Sequence, residues 1–270
     1  MSPPREAPAS DATPRVGTIA RVGIIASADH AVFGEVARRL AAEGVEVVFL
    51  PPGVSLSDEQ LRELSLLVNK KVRWPSFDAL RRAEELGVPT WNGYAVSLTL
   101  ANRLAALAIL ASAGFEVPPV TFDPPAGDYV SKAFFDMGTE PSVNRPGDFY
   151  QPLLRGVQYD LKYYAVDDGE TVHVACVLTS PKLGGGKGVL GRIDPDPAVV
   201  DRLRRLVRSL GVRSLGVDLV QTEGRLVAVD CNVAPSFRDA GLEAALVDSI
   251  LSAAGLRRVA DDGSVVVDDE

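Results

Sequence analysis

Up to Asn92 each apolar strand-like run is followed by a helical run, whereas beyond Gly114 strand follows strand across glycine and proline turns. That change of pattern constrains the fold most, because strands separated by helices pair parallel and strands separated by tight turns pair antiparallel. RVGIIAS from Arg21 reads as a buried strand, VFGEVARRLAAEG as an amphipathic helix ended by a glycine, and VEVVFL as a second strand, together a βαβ unit. Ser57-Asp58-Glu59-Gln60 has the form of a capping box ahead of a short helix. LSLLVNKKVRW then reads as a strand, FDALRRAEELG as a helix and VPTWNG as a return to the sheet. These runs predict a small doubly wound α/β domain over 21–95, preceded over 1–20 by a disordered tail rich in Pro, Ala and Ser. The turn ASADHAVFG lacks the glycine spacing of a dinucleotide site, so no NAD is expected.

One helix is expected over 98–113, stopped by Gly114 and Pro118-Pro119. The strands DYVSKAFF, DFYQPLL, YDLKYYAVDD and TVHVACVLTS follow without an intervening helix and predict an antiparallel sheet. PAVVDRLRRLVRSLG is a helix with Pro197 at its start and Gly211 past its end, its arginines forming a solvated face. A last helix is expected from about Asp239, and an acidic tail over 259–270.

Composition narrows the partners. A formal net charge of −8, from 28 Lys+Arg against 36 Asp+Glu, argues against a nucleic-acid partner. LAALAILASAGF, the most apolar helical run, is too short to span a bilayer, so no membrane partner is expected. Cys176 and Cys231 lie in apolar strand runs and read as buried thiols of a cytoplasmic protein. His30 and His173 lack metal-ligand spacing. PKLGGGKG does not fit a Walker loop and reads either as a flexible connection or as a flap over phosphate.

The most chemical stretch is LGVDLVQTEGRLVAVDCNVAPSF. If Glu223-Gly224-Arg225 is a three-residue hairpin loop with positive φ at Gly224 or a neighbour, Thr222 faces Leu226 and Asp218 faces Asp230. Like charges directly opposite destabilise a sheet, and period-two alternation puts Asn232 on the same face as Asp230. Two readings fit: a solvated acidic face, or a site for a hard divalent cation, for which Mg²⁺ with its few carboxylates, water and phosphate oxygens is suited.

A small α/β domain, a helix ending in AGFEVPP, a lone lysine in VSKAFF, then YQPLL, DLK, GVDLV and VDCN: this order resembles the ATP-grasp superfamily over about 21–254. The chain is similar both to its α-L-glutamate and glutathione synthetase-like ligases and, in some features, to its inositol-phosphate kinases. The resemblance implies an α/β N-terminal domain over 21–95, then over 96–258 an α+β ATP-grasp domain with an antiparallel sheet. It implies ATP as cosubstrate, with Mg²⁺ or Mn²⁺ held by Asp218, Asp230 and Asn232. Lys132 would contact the phosphates, Gln151, Pro152, Leu153 and Leu154 the adenine, and Asp160 and Lys162 would lie beside the nucleotide. Lys132, Lys162 and Arg103 would carry catalysis, Arg103 standing where the family usually has a second lysine. The plainer readings are an edge-strand lysine at 132, a core strand at 151–154 and a cross-strand ion pair at Asp160 and Lys162.

The implied activity is a carboxylate-amine ligase acting through an acyl phosphate on a small-molecule or peptide carboxylate. Asp230, where most of the ligases have Glu, and Lys162 resemble the kinases instead, which would phosphorylate a hydroxyl. The interval 133–150, with only Gly138 and Gly147, is shorter than the family's glycine-rich cover and suggests a third reading, a nucleotide-binding module without turnover. The sequence leaves the acceptor and the oligomeric state open.

Overall fold

The computed structural model describes residues 19–181, 183 and 188–256. Its first layer is a parallel sheet of β1 (Arg21–Ile25), β2 (Glu46–Leu50), β3 (Leu66–Asn69) and β4 (Thr90–Trp91) in the order β2-β1-β3-β4. Helices α1 (Ala31–Ala42), α2 (Asp58–Arg62) and α3 (Trp74–Glu85) connect the strands. Ser57 and Gln60 form the expected capping box. β3 is shorter than LSLLVNKKVRW suggested, because Pro75 at the start of α3 favours a helix there and Arg73 serves as its extended N-cap.

The single helix expected over 98–113 is two, α4 (Tyr94–Ala101) and α5 (Arg103–Ser112). Asn102 leaves the helical region at φ −80° and ψ 110°, and its carboxamide oxygen accepts the Ala105 N–H at 3.1 Å, capping α5. The break frees backbone groups that a continuous helix would consume: the Arg103 N–H donates to Phe134 O at 2.7 Å and the Asp136 N–H to Ala101 O at 2.9 Å.

The remaining strands form two antiparallel sheets where one was expected. β5 (Tyr129–Lys132), β6 (Ser142–Val143) and β7 (Phe149–Pro152) make a small one, ordered β6-β5-β7. β8 (Tyr159–Asp167), β9 (Val172–Thr179), β10 (Val189–Ile193), β11 (Ser214–Thr222) and β12 (Arg225–Asn232) make the larger, ordered β10-β9-β8-β11-β12. The connection after Pro152 separates them, turning at Gly156 with φ 65°. Helices α6 (Pro197–Leu210) and α7 (Glu243–Ala253) complete the described elements. α7 starts later than Asp239, because Asp239 and Gly241 both take positive φ, 60° and 66°.

The central strands β8, β9 and β11 are covered on both faces and largely buried, whereas the edge strand β10 is mostly exposed. On one face Tyr164, Val166 and Val177 share a core with Val22, Ile24, Phe33 and Trp91 of the parallel layer and with Phe237, Leu246 and Ile250 around α7. On the other, Leu161, Tyr163, Leu215, Val217 and Leu219 pack beneath α5 and α6. Asn92, 3% exposed, ties the layers together: its Nδ2 donates to Ser214 O and Val233 O at 2.9 and 3.0 Å, and its Oδ1 accepts the Arg213 and Ser214 N–H groups at 2.7 and 3.1 Å. Both cysteines are free and buried, and burial raises both thiol pKa values, that of Cys176 to about 11. Among the described residues no helix is long and apolar enough to cross a membrane. Most of the expected tails, 1–18 and 259–270, and residues 182 and 184–187 of PKLGGGKG lie outside the described residues.

Candidate active site

The β11–β12 hairpin closes on two residues, Glu223 and Gly224, with φ 48° and 74°, so Thr222 pairs with Arg225 and not with Leu226. Such a loop alone would bring Asp218 opposite Val229. A register shift between Asp218 and Leu219 leaves Val229 as an extra residue, and Asp218 faces Asp230 after all. The bulge also turns the Val229 carbonyl toward the small sheet, where it accepts a hydrogen bond from Lys132 Nζ at 2.5 Å.

Cations flank the paired carboxylates. Lys162 on β8 faces Asp218 from the other side, with Nζ 3.5 Å from Oδ2, so it forms an ion pair across neighbouring strands. Burial disfavours the Lys162 ammonium, but the Asp218 charge, with Tyr164 and Asp160 behind it, outweighs burial and raises the pKa. Arg103, 4% exposed at the start of α5, holds Asp136 Oδ1 at 2.8 Å and Thr139 O at 2.9 Å through Nη2. Its Nε lies 4.0 Å from Asp230 Oδ1 and is buried without a hydrogen-bond partner. Lys132 is 6% exposed on β5, the middle strand of its sheet, so it is no edge-strand lysine.

Between the two antiparallel sheets lies a cleft of about 320 Å³. Its roof is Val130, Lys132, Gln151 and Pro152, its back is Leu153, Leu154 and Val157, and its floor is Asp160, Asp218, Val220, Val229 and Asp230. Gln151 braces the wall by donating from Nε2 to Pro118 O at 3.1 Å. Of the residues singled out in the sequence, Lys162, Arg103 and Asn232 do not line the cleft; the first two reach it through the carboxylates they flank. The Asn232 carboxamide oxygen accepts the Ala234 N–H at 2.8 Å. Both histidines lie elsewhere, His30 capping α1 and His173 beside Asp168 at 2.7 Å.

Val130, Val157, Val220 and Val229 were not anticipated. Alternation places Val130 on the face of Lys132 and Val220 on that of Asp218, so those two were findable. Val229 was not, since only the bulge brings it there. Among the described residues no cluster of three or more His, Cys, Asp or Glu suits a metal ion; two carboxylates and an amide are the donors available here. That oxygen set fits a hard cation whose other ligands are water and substrate oxygens.

No family model matches the sequence, and no curated protein matches it. Solved structures do. The ATP-grasp ligase PsnB, complexed with a minimal precursor, is 20% identical with TM-score 0.63, covering 87% of this chain and 99% of its own. The macrocyclase MdnC of Microcystis aeruginosa MRC, bound with precursor peptide MdnA, is 10% identical with TM-score 0.64 over 87% and 100%. The D-alanine–D-alanine ligase of Bacillus anthracis, complexed with ATP, is 13% identical with TM-score 0.60 over 87% and 95%. The chain has an ATP-grasp fold.

Proposed function

We propose that the protein is a Mg-ATP-dependent ligase that activates a carboxylate and joins it to an amine. One arrangement carries this reading: an apolar slot that ends at two facing carboxylates, Asp218 and Asp230, bordered by Lys132, Lys162 and Arg103. Valine and leucine side chains of the slot suit a flat base, and Lys132 and Lys162 suit the phosphates that follow. Asp218, Asp230 and Asn232 would hold Mg²⁺, which when bound would neutralise charge on the transferring phosphoryl group. The acceptor carboxylate attacks the γ-phosphorus of ATP, ADP leaves and an acyl phosphate forms. The amine then attacks the acyl carbon, phosphate departs, and the amine proton passes to solvent. Lys132, Lys162 and Arg103 serve by position and charge, which is most of what phosphoryl transfer requires. The ligases among the structural neighbours, one complexed with ATP and two with precursors, support the reading.

A kinase of small hydroxylated molecules is the second reading, favoured by Asp230 and Lys162. ADP release should be followed with Mg-ATP and panels of carboxylates, peptides and polyols, with hydroxylamine present to trap acyl phosphates. Hydroxamate formation is expected, and Asp230→Asn should lower its rate at least about 100-fold with the thermal midpoint unchanged within a few degrees. A phosphorylated polyol without hydroxamate would establish the kinase; nucleotide binding without ADP would establish a module that does not turn over.

A further inference from the structure

The segment that follows Asn232 lies across the sheet face that carries the paired aspartates. Gly216 faces Asn232 on one side and Tyr164 on the other, one same-face step along the strands from Asp218, Asp230 and Lys162. A Cβ on Gly216 would meet Pro235 Cβ at 2.8 Å, and the Phe237 ring centroid lies 5.5 Å from that of Tyr164. Pro235 and Phe237 therefore wall the face immediately beside the carboxylates, and their placement bounds the space at Asn232.

Two residues at the C-terminal ends of adjacent parallel strands hold this wall. Asn92, after β4, donates to Val233 O, and Lys70, directly after β3, donates from Nζ to Pro235 O. Lys70 is 4% exposed, and its Nζ lies 4.8 Å from the ring centroids of both Phe33 and Phe237. Phe237 takes φ 56°, a strained conformation for a bulky residue that persists only where its surroundings enforce it.

Core packing alone does not call for an amine there. Burial, and then Lys71, push the Lys70 pKa well below the ordinary lysine range, with no carboxylate among the described residues opposing them. An apolar side chain of equal length would fill the same space without that desolvation cost. What it could not supply is the hydrogen bond to Pro235 O.

We propose that Lys70 is a positioning residue for the carboxylate site: by fixing Pro235 and Phe237 it sets where Asn232 stands relative to Asp218 and Asp230, and so how tightly the three hold a divalent cation. The inference rests on the reading of those three as cation ligands and adds to it a residue outside the cleft.

ATP binding is measured by calorimetry, with Mg²⁺ and with a chelator, on the full chain, on Lys70→Met and on Gly216→Ala, which pushes Pro235 from the opposite side with Lys70 intact. In wild type Mg²⁺ should tighten ATP binding. Lys70→Met should lose about 10-fold of that gain, keep its affinity in chelator within about twofold and keep its thermal midpoint within a few degrees. Gly216→Ala should lose the gain likewise. A Mg²⁺ gain at the wild-type level in either variant would overturn the assignment. So would a loss in Lys70→Met that is equal with and without Mg²⁺, the mark of a merely structural role. ATP binding indifferent to Mg²⁺ in wild type would sink the cation site and the role of Lys70 with it. Because the readout is binding, a failure to form hydroxamate would refute the ligase without touching this result.

Discussion

Asp168 shows how one buried carboxylate can report on the fold. It caps the β8–β9 turn, accepting the Glu170 and Thr171 N–H groups at 2.8 Å each and facing His173 at 2.7 Å. Burial alone would raise its pKa; the Thr171 amide, His173 and the Glu170 amide outweigh burial and lower it to about 2. Because the folded value lies below the unfolded one near 3.9, the contribution, about 2 kcal/mol, is present above pH 4 and is lost as pH falls through about 2. Asp168→Asn should therefore lower the urea midpoint at pH 7, with the difference from wild type shrinking between pH 4 and pH 2. A difference independent of pH would refute the electrostatic account. The sequence did not reveal this role: His173 looked solitary, since its partner is five residues back across a turn. Asp218 and Asp230 were expected to pair through a three-residue loop; the structure reaches the same pairing through a two-residue loop and a bulge.

Element boundaries depended on single side chains. Ser57 announced α2, and Pro197 and Gly211 bracketed α6 as their φ preferences require. Asn102 gave less warning, for an asparagine within an apolar helical run can be exposed or can cap a new helix, and only the bridge to Phe135 decides between them. Asn92 was visible merely as an asparagine at the end of β4. The structure makes it the joint between β4, the start of β11 and the end of β12, with every polar atom of its amide engaged. Asn92→Ala should cost about 3 kcal/mol, since it leaves buried backbone donors and acceptors unpaired. Denaturant titration tests this; a loss below 1 kcal/mol would mean that water replaces the amide.

Across the whole molecule, the parallel layer and the five-stranded sheet share one core, sealed by α7, and Trp91 Nε1 donates to Ser249 Oγ on that helix at 2.9 Å. Leu246→Ala should therefore cost about 3 kcal/mol and shift tryptophan fluorescence and far-ultraviolet circular dichroism together, in one transition. Separate transitions would show that the layers unfold independently. Local pattern by itself determined most of the longer strands and helices and which layer is parallel, because periodicity and turn chemistry act between near neighbours. Only the tertiary structure decided that the later strands form two sheets with a slot between them, that a bulge at Val229 restores the aspartate pair, and that Arg103 and Lys132 reach it. The slot and its cations depend on contacts between residues about a hundred positions apart, whose burial and ion pairing no sequence window contains.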